Sequence, residues 1–294
     1  MDQAERLRNI IKKQEIESAT RTARVITVTS GKGGVGKSSI TLNLAIQLSR
    51  IGHRVIILDA DFGLANIEIM FGIRPKYNLS DLIFHGKTMR DIITYGPENV
   101  GFISGGSGIK EMANLTREQV FQMIQKMEEL DRLADIILID TGAGIGDAVI
   151  EFVAASEEVL LVATPEPTSI TDAYALLKML NRSNSYYPGR TEVKMIANQT
   201  RGLKEADALF EKIGEVVNKF LNIKVEYLGG IPYDSNMSKA VVRQEPVSIS
   251  APSSLAARSL EQITNKLDNK KDGARSFGIM QLFTSVIRMR FRRK

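Results

Sequence analysis

Ten consecutive residues, Ser30-Gly31-Lys32-Gly33-Gly34-Val35-Gly36-Lys37-Ser38-Ser39, concentrate glycine, lysine and hydroxyl side chains in the pattern G-x-x-x-x-G-K-S. That combination suits one task, wrapping an anionic phosphate chain. The glycines let successive backbone N–H groups turn inward around an anion, and a following helix N-terminus adds partial positive charge. Lys37 can then reach the outer phosphates, and Ser38 is placed to ligate Mg²⁺. Two further stretches end in carboxylates: Ile57-Leu58-Asp59-Ala60-Asp61 and Ile139-Asp140-Thr141-Gly142-Ala143-Gly144. Aspartate also suits plain acidic turns. Beside a phosphate loop, Asp140 would hold the Mg²⁺ water shell, and the glycines after it would let the backbone approach a terminal phosphate. Together the three stretches are far more specific than any one of them.

The elements that must carry these residues are legible. The glycine loop follows the β-branched run Val25-Ile26-Thr27-Val28-Thr29 and leads into residues 40–48, whose apolar spacing is helical. Residues 54–61 and 135–140 read as buried parallel strands, each closing on aspartate. In an open α/β sheet ligands bind at the C-terminal ends of such strands. Further strands are expected at 100–104, 158–164, 192–198 and 225–231, with helices at 117–130, 170–180 and 203–220 among those between them. The alternation predicts a mostly parallel sheet of seven to eight strands with helices on both faces.

Length and composition narrow the classes. At 294 residues and 43% hydrophobic content, the chain can bury one large α/β core. No run of eighteen apolar residues occurs, so no membrane-spanning helix is expected, and the polar first residues do not read as a secretory signal. The absence of cysteine suits a cytoplasmic protein and excludes thiolate, Fe–S and cysteine-nucleophile chemistry. His53 and His85 stand isolated and read as structural. The net charge of +5 owes much to Arg288, Arg290, Arg292, Arg293 and Lys294 at the extreme C-terminus. The rest is close to neutral, so no specific nucleic acid is expected as a partner.

The organisation read from the sequence is a head and linker at 1–22, a core domain at 23–268, and a tail at 269–294. The head, residues 2–17, reads as a polar helix capped by Asp2, with Ala4, Leu7, Ile10 and Ile11 as a narrow apolar stripe. That stripe suits docking on the core or a waiting partner. In the tail, Met280, Phe283, Ile287 and Phe291 would share one helical stripe with Ile279, Leu282 and Val286 beside it, opposite Arg288 and Arg292. Such spacing fits both a terminal helix packed on the domain and an amphipathic helix lying on a membrane. The basic cluster favours anionic lipid, at about 1 kcal/mol per surface-proximal cation.

The loop Lys32-Gly33-Gly34-Val35-Gly36-Lys37-Ser38 resembles the deviant phosphate loop of the MinD/ParA ATPases. The likeness implies a homodimer sandwiching ATP, with Lys32 reaching the partner's nucleotide. The head Asp2-Gln3-Ala4-Glu5-Arg6-Leu7-Arg8 is similar to the D-Q-A-x-x-L-R element of the flagellar-number regulators of the FlhG (FleN, YlxH) type. In that family the element, here Asp2, Gln3, Ala4, Leu7 and Arg8, stimulates the GTPase FlhF, a relative of the signal-recognition-particle GTPases. The C-terminal helix there targets the inner face of the cell membrane, and flagellar switch (C-ring) proteins are implied as partners. By the same resemblance Gly31, Gly33, Gly34, Val35, Gly36, Lys37, Ser38 and Ser39 form the phosphate cradle and Asp59 and Asp140 the Mg²⁺ shell. Asp61 orients the attacking water and moves with Gly144 as a switch. Asn198 reads adenine, flanked by Pro232 and Asp234. Slow, dimerisation-dependent hydrolysis of ATP to ADP and phosphate is the implied activity. MinD-type proteins usually carry Ser-Pro-Ala-Gly where this chain has Thr141-Gly142-Ala143-Gly144, which leaves the backbone path of that switch open. Two neighbouring readings share the core: a MinD-type division-site ATPase, which should lack the head, and a ParA-type DNA-segregation ATPase, which should carry a basic patch on the core.

Overall fold

The computed structural model describes residues 22–61, 66–105, 117–183, 186, 190–269 and 278–292. Among these residues eight strands form one sheet: β1 (Arg24–Thr29), β2 (Val55–Ala60), β3 (Thr94–Tyr95), β4 (Gly101–Ile103), β5 (Ile136–Thr141), β6 (Glu158–Ala163), β7 (Glu192–Thr200) and β8 (Val225–Pro232). Their spatial order is β3-β4-β2-β5-β1-β6-β7-β8. Every pairing is parallel except that of the short edge strand β3 with β4. The mostly parallel sheet expected from the sequence is thus present. Every residue of β1, β2, β5 and β6 is buried, as strands covered on both faces must be.

One face of the sheet carries α1 (Lys37–Arg50), which follows the glycine loop, and α11 (Leu255–Asp268). Ile40, Leu44 and Leu48 of α1 pack with Ile57, Leu138 and Leu260 in one core cluster. The short helices α2 (Asn66–Phe71), α3 (Leu79–Phe84) and α4 (Met89–Ile92) follow β2. Asn78 with Asp81 and Thr88 with Asp91 form capping boxes that fix the starts of α3 and α4. The opposite face carries α5 (Arg117–Leu133) and α6 (Asp147–Ala155). Beyond them, α7 (Pro167–Arg182) and α8 (Leu203–Phe220) cover β6 and β7, with Ala206, Leu209, Ile213 and Val217 forming the buried stripe of α8. Two short helices, α9 (Ser235–Arg243) and α10 (Val247–Ser250), lead into α11.

The last described helix, α12 (Ile279–Arg292), lies against α5 and α6. Ile279, Leu282, Phe283 and Val286 are buried, and Phe283 meets Phe152 of α6 edge-on with ring centroids 5.8 Å apart. The inward face is therefore rotated from the stripe expected around Met280, Phe283 and Ile287: Met280 and Ile287 sit half-buried at its margin. The cause is the groove, whose Met123, Met127, Leu130 and Phe152 accept a ridge of residues spaced i, i+3, i+4, i+7. The side chains of Arg288, Phe291 and Arg292 lie outside what the structure describes, as do the head residues Asp2, Gln3, Ala4, Leu7 and Arg8. The helix is rooted by Asp131 of α5, whose Oδ1 accepts the Ile279 N–H and the Ala23 N–H, each at 3.2 Å. Burial holds this carboxyl above the usual range, against the pull of those N–H donors. Among the described residues no helix is long and apolar enough to cross a membrane. The two histidines are each paired, His53 with Asp268 at 2.7 Å and His85 with Asp81 at 2.9 Å.

Candidate functional site

The glycine loop closes over the C-terminal end of β1, and a helix can start there only because Gly36 caps α1 in the left-handed region, at φ +88°. A Cβ at Gly36 would fall 2.4 Å from Asn198 Nδ2, and one at Gly31 would fall 2.2 Å from the Asp172 carbonyl carbon of α7. The loop is thus pressed between β7 and α7. From β7, the Asn198 amide donates to the Val35 carbonyl at 2.7 Å and the Gln199 amide to the Gly34 carbonyl at 3.3 Å. Val35 is buried in the core and anchors the loop from below, while Gly33 and Gly34 face outward. Ser38 and Ser39 open the first turn of α1 and are half-buried.

Register brings the carboxylates to the same edge. Asp59 and Asp140 stand directly opposite each other on β2 and β5, and Asp140 is also opposite Val28 of β1. Lys37 Nζ pairs with Asp140 Oδ1 at 2.8 Å, with both residues buried. Thr41 Oγ1 lies 3.0 Å from the same oxygen. Among the described residues Asp140 Oδ2 is buried with no hydrogen-bond partner. Asp59 accepts the Asp61 N–H at 3.1 Å and the Ile67 N–H at 3.3 Å. Burial first, and the neighbouring Asp140 second, push its carboxyl up to about 7 despite those two donors.

A buried orphaned oxygen beside a carboxyl short of positive charge fits a hydrated divalent cation, and Ser38 lies in the first turn of α1, next in sequence to Lys37. Asp61 accepts the Asn66 side-chain amide at 3.1 Å. A Cβ at Gly142 would come within 3.5 Å of Asp61 Oδ1, so Asp61 faces the turn after β5. That turn is tied to the glycine loop, the Gly144 N–H donating to the Ser30 carbonyl at 2.9 Å. Lys32 is held within its own chain, its ammonium 2.6 Å from Glu166 and 2.9 Å from Thr168 at the start of α7.

Beside the loop opens a cleft of about 330 Å³ that brings Gly34, Gly36 and Ser39 together with Asn198, Pro232 and Asp234. Tyr233 stands at its rim, 66% exposed. Asp234 offers no idle acceptor: Oδ1 takes the Asn236 N–H at 2.9 Å and Oδ2 the Ala256 N–H at 3.1 Å. Partial burial would raise its carboxyl, but those N–H groups win and hold it below the ordinary range. Its observed work is to cap α9 and fix the cleft wall. Gln199, Asn66, Glu166 and Thr41 are contributors that sequence spacing did not single out. The signal available for Thr41 was its place one turn after Lys37 on the same helix.

A family model described as the NUBPL iron-transfer P-loop NTPase of the ParA group matches residues 21–268. Among curated relatives, the antiactivator FleN of Pseudomonas aeruginosa is 41% identical over 260 residues, 88% of this chain and 91% of FleN. The flagellum site-determining protein YlxH of Helicobacter pylori is 33% identical over 94% of this chain and 96% of its own length. The septum site-determining protein MinD of Pyrococcus horikoshii, solved with Mg-ADP, superposes with a TM-score of 0.66 at 23% identity, covering 87% of this chain and all of that one. That likeness is one of fold.

Proposed function

Because this chain belongs to the MinD/ParA family of P-loop NTPases, in its FleN and YlxH branch, we propose that it is a MinD-like ATPase that regulates flagellar number and placement through an ATP-dependent, membrane-associated homodimer. The carrying observation is the meeting of Lys37, Asp59 and Asp140 at one sheet edge, with the cleft of Asn198 and Pro232 beside them. Iron transfer is not part of the reading, because the chain has no cysteine to ligate a cluster.

The loop N–H groups from Gly33 to Ser38 hold the phosphates, and Asn198 and Pro232 hold the base. Lys37 turns from Asp140 to the outer phosphates. Asp59, Asp140 and Ser38 would hold Mg²⁺, which would supply positive charge against that developing on the phosphates. Asp61 orients water for in-line attack on the γ-phosphorus, and the bond to the ADP oxygen breaks as the new P–O bond forms. Lys32 leaves Glu166 for the partner's nucleotide, so the site is complete only in the dimer and turnover is slow. Membrane contact requires α12 to leave its groove, since Ile279, Leu282, Phe283 and Val286 are buried there. Two weakly bound helices in one dimer then hold together through effective concentration. No specific nucleic acid is a partner in this reading; anionic lipid, the GTPase FlhF and flagellar switch proteins are.

Asp61→Ala should accumulate an ATP-bound dimer on anionic liposomes that wild type forms only transiently, read by co-sedimentation with ATP against ADP. Equal sedimentation in both nucleotides would overturn the switch. A peptide of residues 1–20 should stimulate GTP hydrolysis by FlhF; no stimulation of active FlhF would return the chain to the wider MinD class.

A further inference from the structure

We infer that Thr41 is a positioning residue for Asp140, holding that carboxylate in place once Lys37 turns to the phosphates; this rests on the ATPase reading above. Asp140 is fully buried at the end of β5, and its two oxygens are treated unequally. Oδ1 receives Lys37 Nζ at 2.8 Å and lies 3.0 Å from Thr41 Oγ1, whereas Oδ2 receives no donor among the described residues. Thr41 lies four residues after Lys37 on α1, so both side chains leave the same helix face. Its hydroxyl, fully buried, also lies 3.1 Å from the Lys37 carbonyl. One proton must choose, and the ionised carboxylate is the stronger acceptor.

The phosphate-loop role of Lys37 takes its ammonium away from Oδ1. Thr41 then remains as the donor that stops Asp140 from rotating about its last side-chain bond. With Oδ1 fixed, Oδ2 keeps its bearing on the metal's water shell. Threonine suits the position because it fills the buried volume of a valine while adding one proton. Metal sites depend on such outer partners, whose loss costs about tenfold or more in metal affinity.

The test titrates a fluorescent ADP into the full-length wild type, Thr41→Val and Thr41→Ser across Mg²⁺ concentrations and in excess chelator. Thr41→Val should need about tenfold more Mg²⁺ to reach half of the metal-dependent tightening, with chelator affinity unchanged. Thr41→Ser should stay within about twofold of wild type, since it keeps the donor. Thr41→Ala carries the valine expectation without branched bulk, so misfolding of one variant leaves the other decisive. Unchanged Mg²⁺ dependence in the valine and alanine variants, or a loss of affinity equal with and without Mg²⁺, would overturn the assignment. Failure of serine to restore it would do the same. A wild type that binds ADP indifferently to Mg²⁺ would remove the metal site itself, and Thr41's role with it.

Discussion

Asp59 makes the protein less stable as pH rises, and the size of the effect follows from its surroundings. Its carboxyl is raised from 3.8 to about 7, by burial first and by Asp140 second. Below pH 4 the folded and unfolded chains both hold the proton. Between pH 4 and 7 the unfolded chain releases it while the folded chain keeps it, so stability falls with increasing pH. Each unit of the shift corresponds to about 1.4 kcal/mol, so the full loss above pH 7 approaches about 4 kcal/mol. Asp59→Asn removes this titration. It also leaves an amide facing either the Asp61 or the Ile67 N–H, a pH-independent penalty of about 1–3 kcal/mol. The variant should therefore be the less stable protein at pH 5 and should draw level with wild type, or pass it, at pH 8. Urea unfolding of both proteins at pH 5, 6, 7 and 8 reads the difference directly, and that difference should change by about 3 kcal/mol across the series. Excess Mg²⁺ with ADP should flatten the wild-type curve by stabilising the ionised carboxylate. A difference independent of pH would refute the reasoning, because Asp59 would then ionise like an exposed aspartate and the site would not be short of positive charge.

Lys37→Ala should abolish tight ADP binding, measured by fluorescence titration, because it removes the cation meant for the phosphates; retained affinity would contradict the phosphate-loop reading. Phe152→Ala should weaken the groove that holds α12 by about 3 kcal/mol while leaving the helix's own apolar residues intact. Nucleotide-independent sedimentation with anionic liposomes should rise as a result; unchanged partitioning with and without ATP would show that docking does not gate the helix.

The sheet and the phosphate loop were readable because their signals are local. Gly36, Lys37 and Ser38 carry their chemistry in their spacing, and Asp59 and Asp140 close β-branched runs that only a doubly covered strand accommodates. Three kinds of fact were not local. The raised carboxyl of Asp59 depends on burial first and then on Asp140 standing opposite it across a strand pairing, which no spacing announces. The inward face of α12 depends on the shape of a groove contributed by α5 and α6, so an apolar residue count could place a stripe but not rotate it correctly. Asn198 was singled out only through the family resemblance, as a reader of adenine, and that its amide supports the Val35 carbonyl required the folded loop. The short β3, α3 and α4 escaped because two to six residues give periodicity too little length, although the boxes of Asn78 with Asp81 and Thr88 with Asp91 were there to be read.

The single oxygen of Asp131 that receives both Ala23 and Ile279 gives the molecule an unusual economy of attachment. Topologically the stretch between Ala23 and Ile279 closes into a ring at that oxygen. Under the proposed function, departure of α12 from its groove would open that ring by taking the Ile279 N–H away from the carboxylate. The start of the first strand and the seating of the last helix are thus felt at one carboxylate, so a change at either is registered at the other.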